Sequence, residues 1–191
     1  MTEPVARAGS RPRQMLVAPW RLGLLLIAGS AVMALSAKIE MPFWPVPMTL
    51  QVLACLTLAG VFGGRIAGAM IGLYLLEGAL GLPVFANVPA RGVGLAYVVG
   101  PTGGYLIGFL FAAVVTGAWI RRDRLAVLPT VLKMLMGLAI IYGLGVAWLA
   151  QFTGWQSVVA VGVLPFLVGD VIKVLLAAAL TIAVERWRRA A

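Results

Sequence analysis

The hydrophobic pattern of this chain is one of long apolar blocks separated by short polar punctuation. Runs bounded by Pro, Gly or charge cover about 22–37, 49–62, 66–82, 104–120, 131–150 and 160–184. A membrane span takes about 20 predominantly apolar residues. The pattern therefore predicts an all-α, polytopic integral membrane protein, a six-transmembrane-helix bundle in one compact domain. Several runs fall short of that length and predict tilted or broken helices.

Composition sharpens the solvent. Apolar residues make up 62% of the 191 positions and charged ones 11%, against roughly 45–50% apolar in an ordinary soluble domain. Most of the surface must face lipid. The net charge of +9 suggests a nucleic-acid binder only on a water-soluble fold with a basic face, which this composition excludes. The cations instead sort by side: Arg7, Arg11, Arg13, Arg21, Arg65, Arg121, Arg122, Arg124, Lys133, Arg186, Arg188 and Arg189 share the side of the N-terminus, which makes twelve of the fifteen. Only Lys38 and Arg91 fall opposite, and Lys173 lies within the last span. The positive-inside rule places both termini in the cytoplasm, which requires an even number of spans, and six satisfies it. The expected organisation is a cytoplasmic segment over 1–20, a membrane domain over 21–186 and a cytoplasmic tail over 187–191.

Arginines before the Leu22 to Ala37 run, with the Ala34-Leu35-Ser36 triplet at its end, also fit a secretory signal. Its removal would leave five spans and disturb the charge pattern, so the run is read as the first span. Cys55 lies in an apolar stretch as a small packing residue. Gly64, Gly68 and Gly72 repeat every four positions, as do Gly104, Gly108 and Ala112, with Ser30 and Ala34 a weaker version. Such stripes let helix backbones approach in lipid. No internal repeat is evident, which argues against a self-contained alternating-access carrier.

Glu77 and Asp170 are the acidic residues inside apolar runs, and intramembrane charge is a functional hypothesis by default. Asp170 precedes Lys173 by three residues, a spacing that puts both on one helical face, so each offsets the other's desolvation. A structural ion pair fixing the last helix and a ligand-binding pair fit this spacing equally. Pro165, one to two turns earlier, frees backbone groups that must find partners in protein or water, as beside a cavity. Glu77 either approaches the same region or serves helix packing.

Two outer connections differ from ordinary loops. Met41-Pro42-Phe43-Trp44-Pro45-Val46-Pro47-Met48 is stiff and apolar, suited to capping a pocket or to anchoring at the headgroups. The connection from Pro83 to Gly103 holds Asn87, Arg91, Tyr97 and a glycine-rich run into Tyr105. That run lacks the Gly-Lys-Ser/Thr ending of a nucleotide-binding loop, and no such loop occurs elsewhere in the sequence. Enzyme readings fare poorly. The absence of histidine excludes histidine-based triads and the usual zinc sites, and intramembrane aspartyl proteolysis needs a second carboxylate to share a proton with Asp170.

Three stretches together carry a resemblance: Val46-Pro47-Met48-Thr49-Leu50-Gln51, Gly81-Leu82-Pro83-Val84-Phe85-Ala86, and Gly100-Pro101-Thr102-Gly103-Gly104-Tyr105-Leu106-Ile107-Gly108-Phe109. The chain resembles the BioY family, the biotin-binding S components of energy-coupling-factor (ECF) importers, from about its first span to its last. The resemblance implies a non-enzymatic capture subunit in the bacterial cell membrane. Its implied partners are biotin, lipid, a transmembrane coupling protein and two ABC-type ATPases, with no cofactor, metal or nucleic acid. It further implies a pocket open to the outside, covered by the first outer loop and the third-to-fourth connection. Asp170 or Asn87 would accept hydrogen bonds from the ureido ring, and Lys173 or Arg91 would pair with the valerate carboxylate. Tyr97, Tyr105 and Trp44 would pack on the bicycle and tail, with Gln51 a further candidate. Charge-assisted hydrogen bonds of this kind contribute about 1.5–3 kcal/mol each.

Overall fold

The computed structural model describes residues 19–41, 44–88, 90, 92–120 and 126–191. Arg91, the arginines at 7, 11, 13, 121, 122 and 124, and the segment over 1–18 lie outside the described residues. Each apolar run forms a helix: α1 Pro19–Lys38, α2 Gln51–Phe62, α3 Gly64–Ala79, α5 Gly103–Ile120, α6 Val127–Thr153 and α8 Leu164–Ala190. Two short helices join them, α4 Leu95–Val98 and α7 Val158–Gly162. A two-residue hairpin, β1 Glu40–Met41 against β2 Met48–Thr49, pairs Glu40 with Thr49 in antiparallel register.

Helix lengths are uneven, as the run lengths predict. Among the described residues, four stretches are long and apolar enough to cross a membrane: α1, α5, α6 and Val158–Ala190. At 1.5 Å per residue, α2 rises only about 18 Å and α3 about 24 Å, below the roughly 30 Å of a hydrocarbon core. One residue, Gly63, joins them at φ 79°, a backbone conformation that glycine alone adopts without cost. The Pro165 signal marks a real break. The last apolar run divides at Val163 into α7 and α8, and Pro165 sits in the first turn of α8, where its missing N–H costs nothing.

Helix α5 lies at the centre, packed on α2, α3 and α6, while α8 closes the bundle against α2 and α6 and α1 flanks α3. Small residues set these approaches. A Cβ on Gly104 would lie 2.3 Å from Trp148 Cβ and 2.5 Å from the Leu144 carbonyl, and one on Gly108 2.9 Å from Ile141 Cα. Ala112 on the same stripe is fully buried. Gly64 and Gly68 press likewise on Val114 of α5. Gly72, expected to extend that stripe, has open space around it and takes no part in the contact. Gly104→Val should push α5 from α6 and cost at least about 1–3 kcal/mol through overpacking, read as a lowered thermal midpoint in detergent.

Glu77 accepts a hydrogen bond from Ser30 Oγ, tying α3 to α1. Its position is that of a helix-packing residue. Beyond α3, the connection folds back over the helix end: Phe85 is buried, edge-on to Tyr74 and stacked on Tyr97 at 4.8 Å. Lys38, in the last turn of α1, donates to the Phe85 carbonyl at 2.7 Å and holds this connection in place.

Candidate functional site

Helix α8 carries Asp170 and Lys173 one turn apart, and the ion pair expected from their spacing forms at 2.7 Å. Both residues are buried, at 4% and 8% exposure, so each charge needs its partner. Lys173 Nζ also donates to the Thr49 carbonyl of β2 at 2.7 Å, which ties the hairpin to α8. The second oxygen of Asp170 accepts from Tyr142 Oη of α6 at 2.8 Å. The carboxylate is thereby oriented from two sides, with lone pairs remaining on both oxygens.

Asp170 faces an interhelical cavity of about 40 Å³, whose walls include Val46, Met48, Gln51, Tyr105, Tyr142 and Phe166. Four helices and the hairpin contribute, so the polar groups converge from distant parts of the sequence. Gln51 is held there by its Nε2 donating to Tyr74 Oη at 2.8 Å, while its Oε1 accepts from Thr49 Oγ1 at 3.1 Å. Tyr105 is fixed by donating to the Gly162 carbonyl at 2.8 Å. The remaining wall is apolar, as in small-molecule pockets generally, where a few polar groups set orientation.

A second cavity, of about 210 Å³, lies among the loops between Trp44, Pro45, Ala90, Tyr97 and the Gly100-Pro101-Thr102 run. The run is anchored by Trp148 Nε1 donating to the Gly100 carbonyl at 2.9 Å. Trp44 is exposed at 80%, whereas Tyr97 is buried and supported from behind by Phe85. Two chain segments, 44–49 and 100–105, pass from one cavity to the other, and Thr102 stands in the wall of both.

The sequence profile of the BioY family matches residues 12–190. The chain belongs to the BioY family. A relative from Pyrococcus horikoshii named "Probable biotin transporter BioY" is 39% identical over 143 residues, spanning 75% of this chain and 83% of that one. The biotin transporter BioY of Thermotoga maritima is 36% identical over 167 residues, 82% of this chain and 91% of its own. Among solved structures, the chain is similar to the S component for biotin from an ECF-type ABC transporter, with TM-score 0.75, 24% identity and coverage of 89% and 92%. At that identity the likeness establishes the fold.

In this BioY-family fold, Asp170, Gln51 and Tyr105 meet at the interhelical cavity, and Trp44 and Tyr97 meet at the loop cavity. Lys173 stands behind Asp170, engaged with it and with Thr49. Asn87 lines neither cavity; it sits in a turn at φ 50°, a conformation asparagine tolerates better than most residues. Arg91 lies outside the described residues. Sequence reasoning missed Tyr142 and Thr102. Tyr142 is a hydroxyl within the apolar run of α6, and that polar atom amid hydrophobic neighbours was the available signal. Thr102 lay inside a run noticed for its glycines.

Proposed function

We propose that this chain captures biotin as the S component of an ECF importer. One observation carries the reading: a buried carboxylate, Asp170, is oriented by Tyr142 and Lys173 at the wall of an otherwise apolar cavity. Such a group suits a neutral ring that presents N–H donors, as the ureido ring of biotin does. A ligand carboxylate would be repelled there, because the charge of Lys173 is already balanced by Asp170. The ring therefore goes to Asp170 and Gln51, with Tyr105 against it, and the valerate extends toward Trp44 and Tyr97. Arg91, which the sequence puts in the connection after α3, is proposed to meet the valerate carboxylate. The relatives' names as biotin transporters support the cargo.

The same reading has the chain cross a bacterial cell membrane six times with both termini in the cytoplasm, the membrane domain occupying 21–186 between the segments 1–20 and 187–191. A coupling protein and two ABC-type ATPases supply the work, and this chain performs no catalysis. The experiment is equilibrium binding of labelled biotin to the detergent-purified protein, with unlabelled vitamins as competitors. Saturable binding displaced by biotin alone is expected. No binding at micromolar biotin, or displacement by a different vitamin, would overturn the assignment.

A further inference from the structure

We infer that Thr102 forms the neck between two compartments of one binding site and that its side chain selects ligands by the tail and not by the ring. The inference rests on the biotin reading and deepens it. Thr102 lines both the interhelical and the loop cavity. Facing it, Pro45 borders the loop cavity and Val46, the next residue, borders the interhelical one. The boundary between the cavities therefore lies between these two chain segments.

Both sides of that boundary are braced. The Thr102 carbonyl accepts from the backbone N–H groups of Tyr105 and Leu106 at 3.0 and 3.3 Å, which fixes residue 102 to the first turn of α5. The Gly100 carbonyl is held by Trp148. Across the gap, the hairpin strand following Val46 is held by Lys173 through Thr49.

The two compartments differ in chemistry. The interhelical one offers Asp170 and Gln51 to hydrogen-bond donors; the loop one offers the rings of Trp44 and Tyr97. The former, at about 40 Å³, has room for no more than about three waters, so a whole ligand with ring and tail must occupy both. A bicycle seated against Asp170 sends its tail past Thr102. Bulk added at residue 102 then obstructs a ligand with a tail and spares a tail-less ring.

The test adds that bulk after folding. Thr102→Cys is purified in detergent and alkylated with a methanethiosulfonate reagent; Cys55, the chain's native cysteine, is fully buried and protected. Two probes are titrated, biotin and the same ureido bicycle with its valerate cut back to a methyl group. Alkylation is expected to weaken biotin by at least about tenfold while the methyl bicycle changes by less than about threefold, and bound biotin is expected to slow alkylation. Equal loss of both probes, no loss of either, or no protection by biotin overturns the neck. If the unmodified wild-type chain binds neither probe, the biotin reading itself has failed and the neck falls with it.

Discussion

Asp170→Asn is expected to weaken biotin binding between about tenfold and a hundredfold, the equivalent of the 1.5–3 kcal/mol that a hydrogen bond to a charged group contributes. The neutral amide keeps the shape of the side chain and one acceptor, so Tyr142 retains a partner. What disappears is the charge on the acceptor and one of its two oxygens. The substitution also leaves Lys173 buried opposite an amide. Breaking a buried ion pair from one side is destabilising by about 3–5 kcal/mol, so reduced binding by the single variant confounds two effects. Asp170→Asn combined with Lys173→Met separates them. Replacing both charges by neutral groups of similar volume removes the uncompensated ammonium, and the thermal midpoint should recover toward that of the wild type. Because Lys173→Met itself loosens the hairpin, the reference is that single variant: the double variant should bind biotin more weakly still, because the carboxylate is missing as well. A doubly substituted protein that binds biotin as well as Lys173→Met alone would show that Asp170 serves only to fix α8.

The Asp170–Lys173 pair was legible because its partners lie on one helix, where a three-residue spacing fixes relative position without knowledge of the fold. Gly104 and Gly108 were legible for the same reason, since a small-residue stripe implies a close neighbour whatever that neighbour is. Their partner helix, α6, was not. Gly72 shows the limit of the stripe: it continues the periodicity of Gly64 and Gly68, yet the space beside it is open. Periodicity states which face a residue occupies and says nothing of how far a partner extends along it.

The rest of the site depended on tertiary contacts. Tyr142 reaches Asp170 across 28 positions of sequence and Lys173 reaches Thr49 across 124. No spacing rule spans such distances. Asn87 was chosen for its polar side chain, but its positive φ gives it a backbone role in a turn. Polar residues in loops serve conformation as readily as ligands, and sequence alone does not separate the two. Trp44 and Tyr97 lie outside the three stretches that carry the resemblance, and both line the loop cavity. The sequence did not reveal that this cavity and the one at Asp170 are distinct compartments.

Lys173→Met should loosen the hairpin and weaken biotin and biotin methyl ester by the same factor, about tenfold or more. The reason lies in what the ammonium already holds. It donates to the Asp170 carboxylate and the Thr49 carbonyl, both at 2.7 Å, so its charge is balanced within the protein and its donors fix the strand that covers the cavity. Methionine matches the stem of lysine but donates nothing. The Thr49 carbonyl then loses its link to α8, and Asp170 keeps only Tyr142. Deuterium uptake across 44–50 in the ligand-free protein should rise as the hairpin is released. If Lys173 instead paired with the valerate, the wild type would discriminate against the ester, and the substitution would abolish that discrimination while leaving ester binding unchanged. Equal losses for the two ligands together with faster exchange at the hairpin identify Lys173 as a positioning residue, acting through Thr49 and Asp170. A selective loss of biotin with unchanged exchange would assign it to the ligand's carboxylate and reverse the orientation argued for the ring.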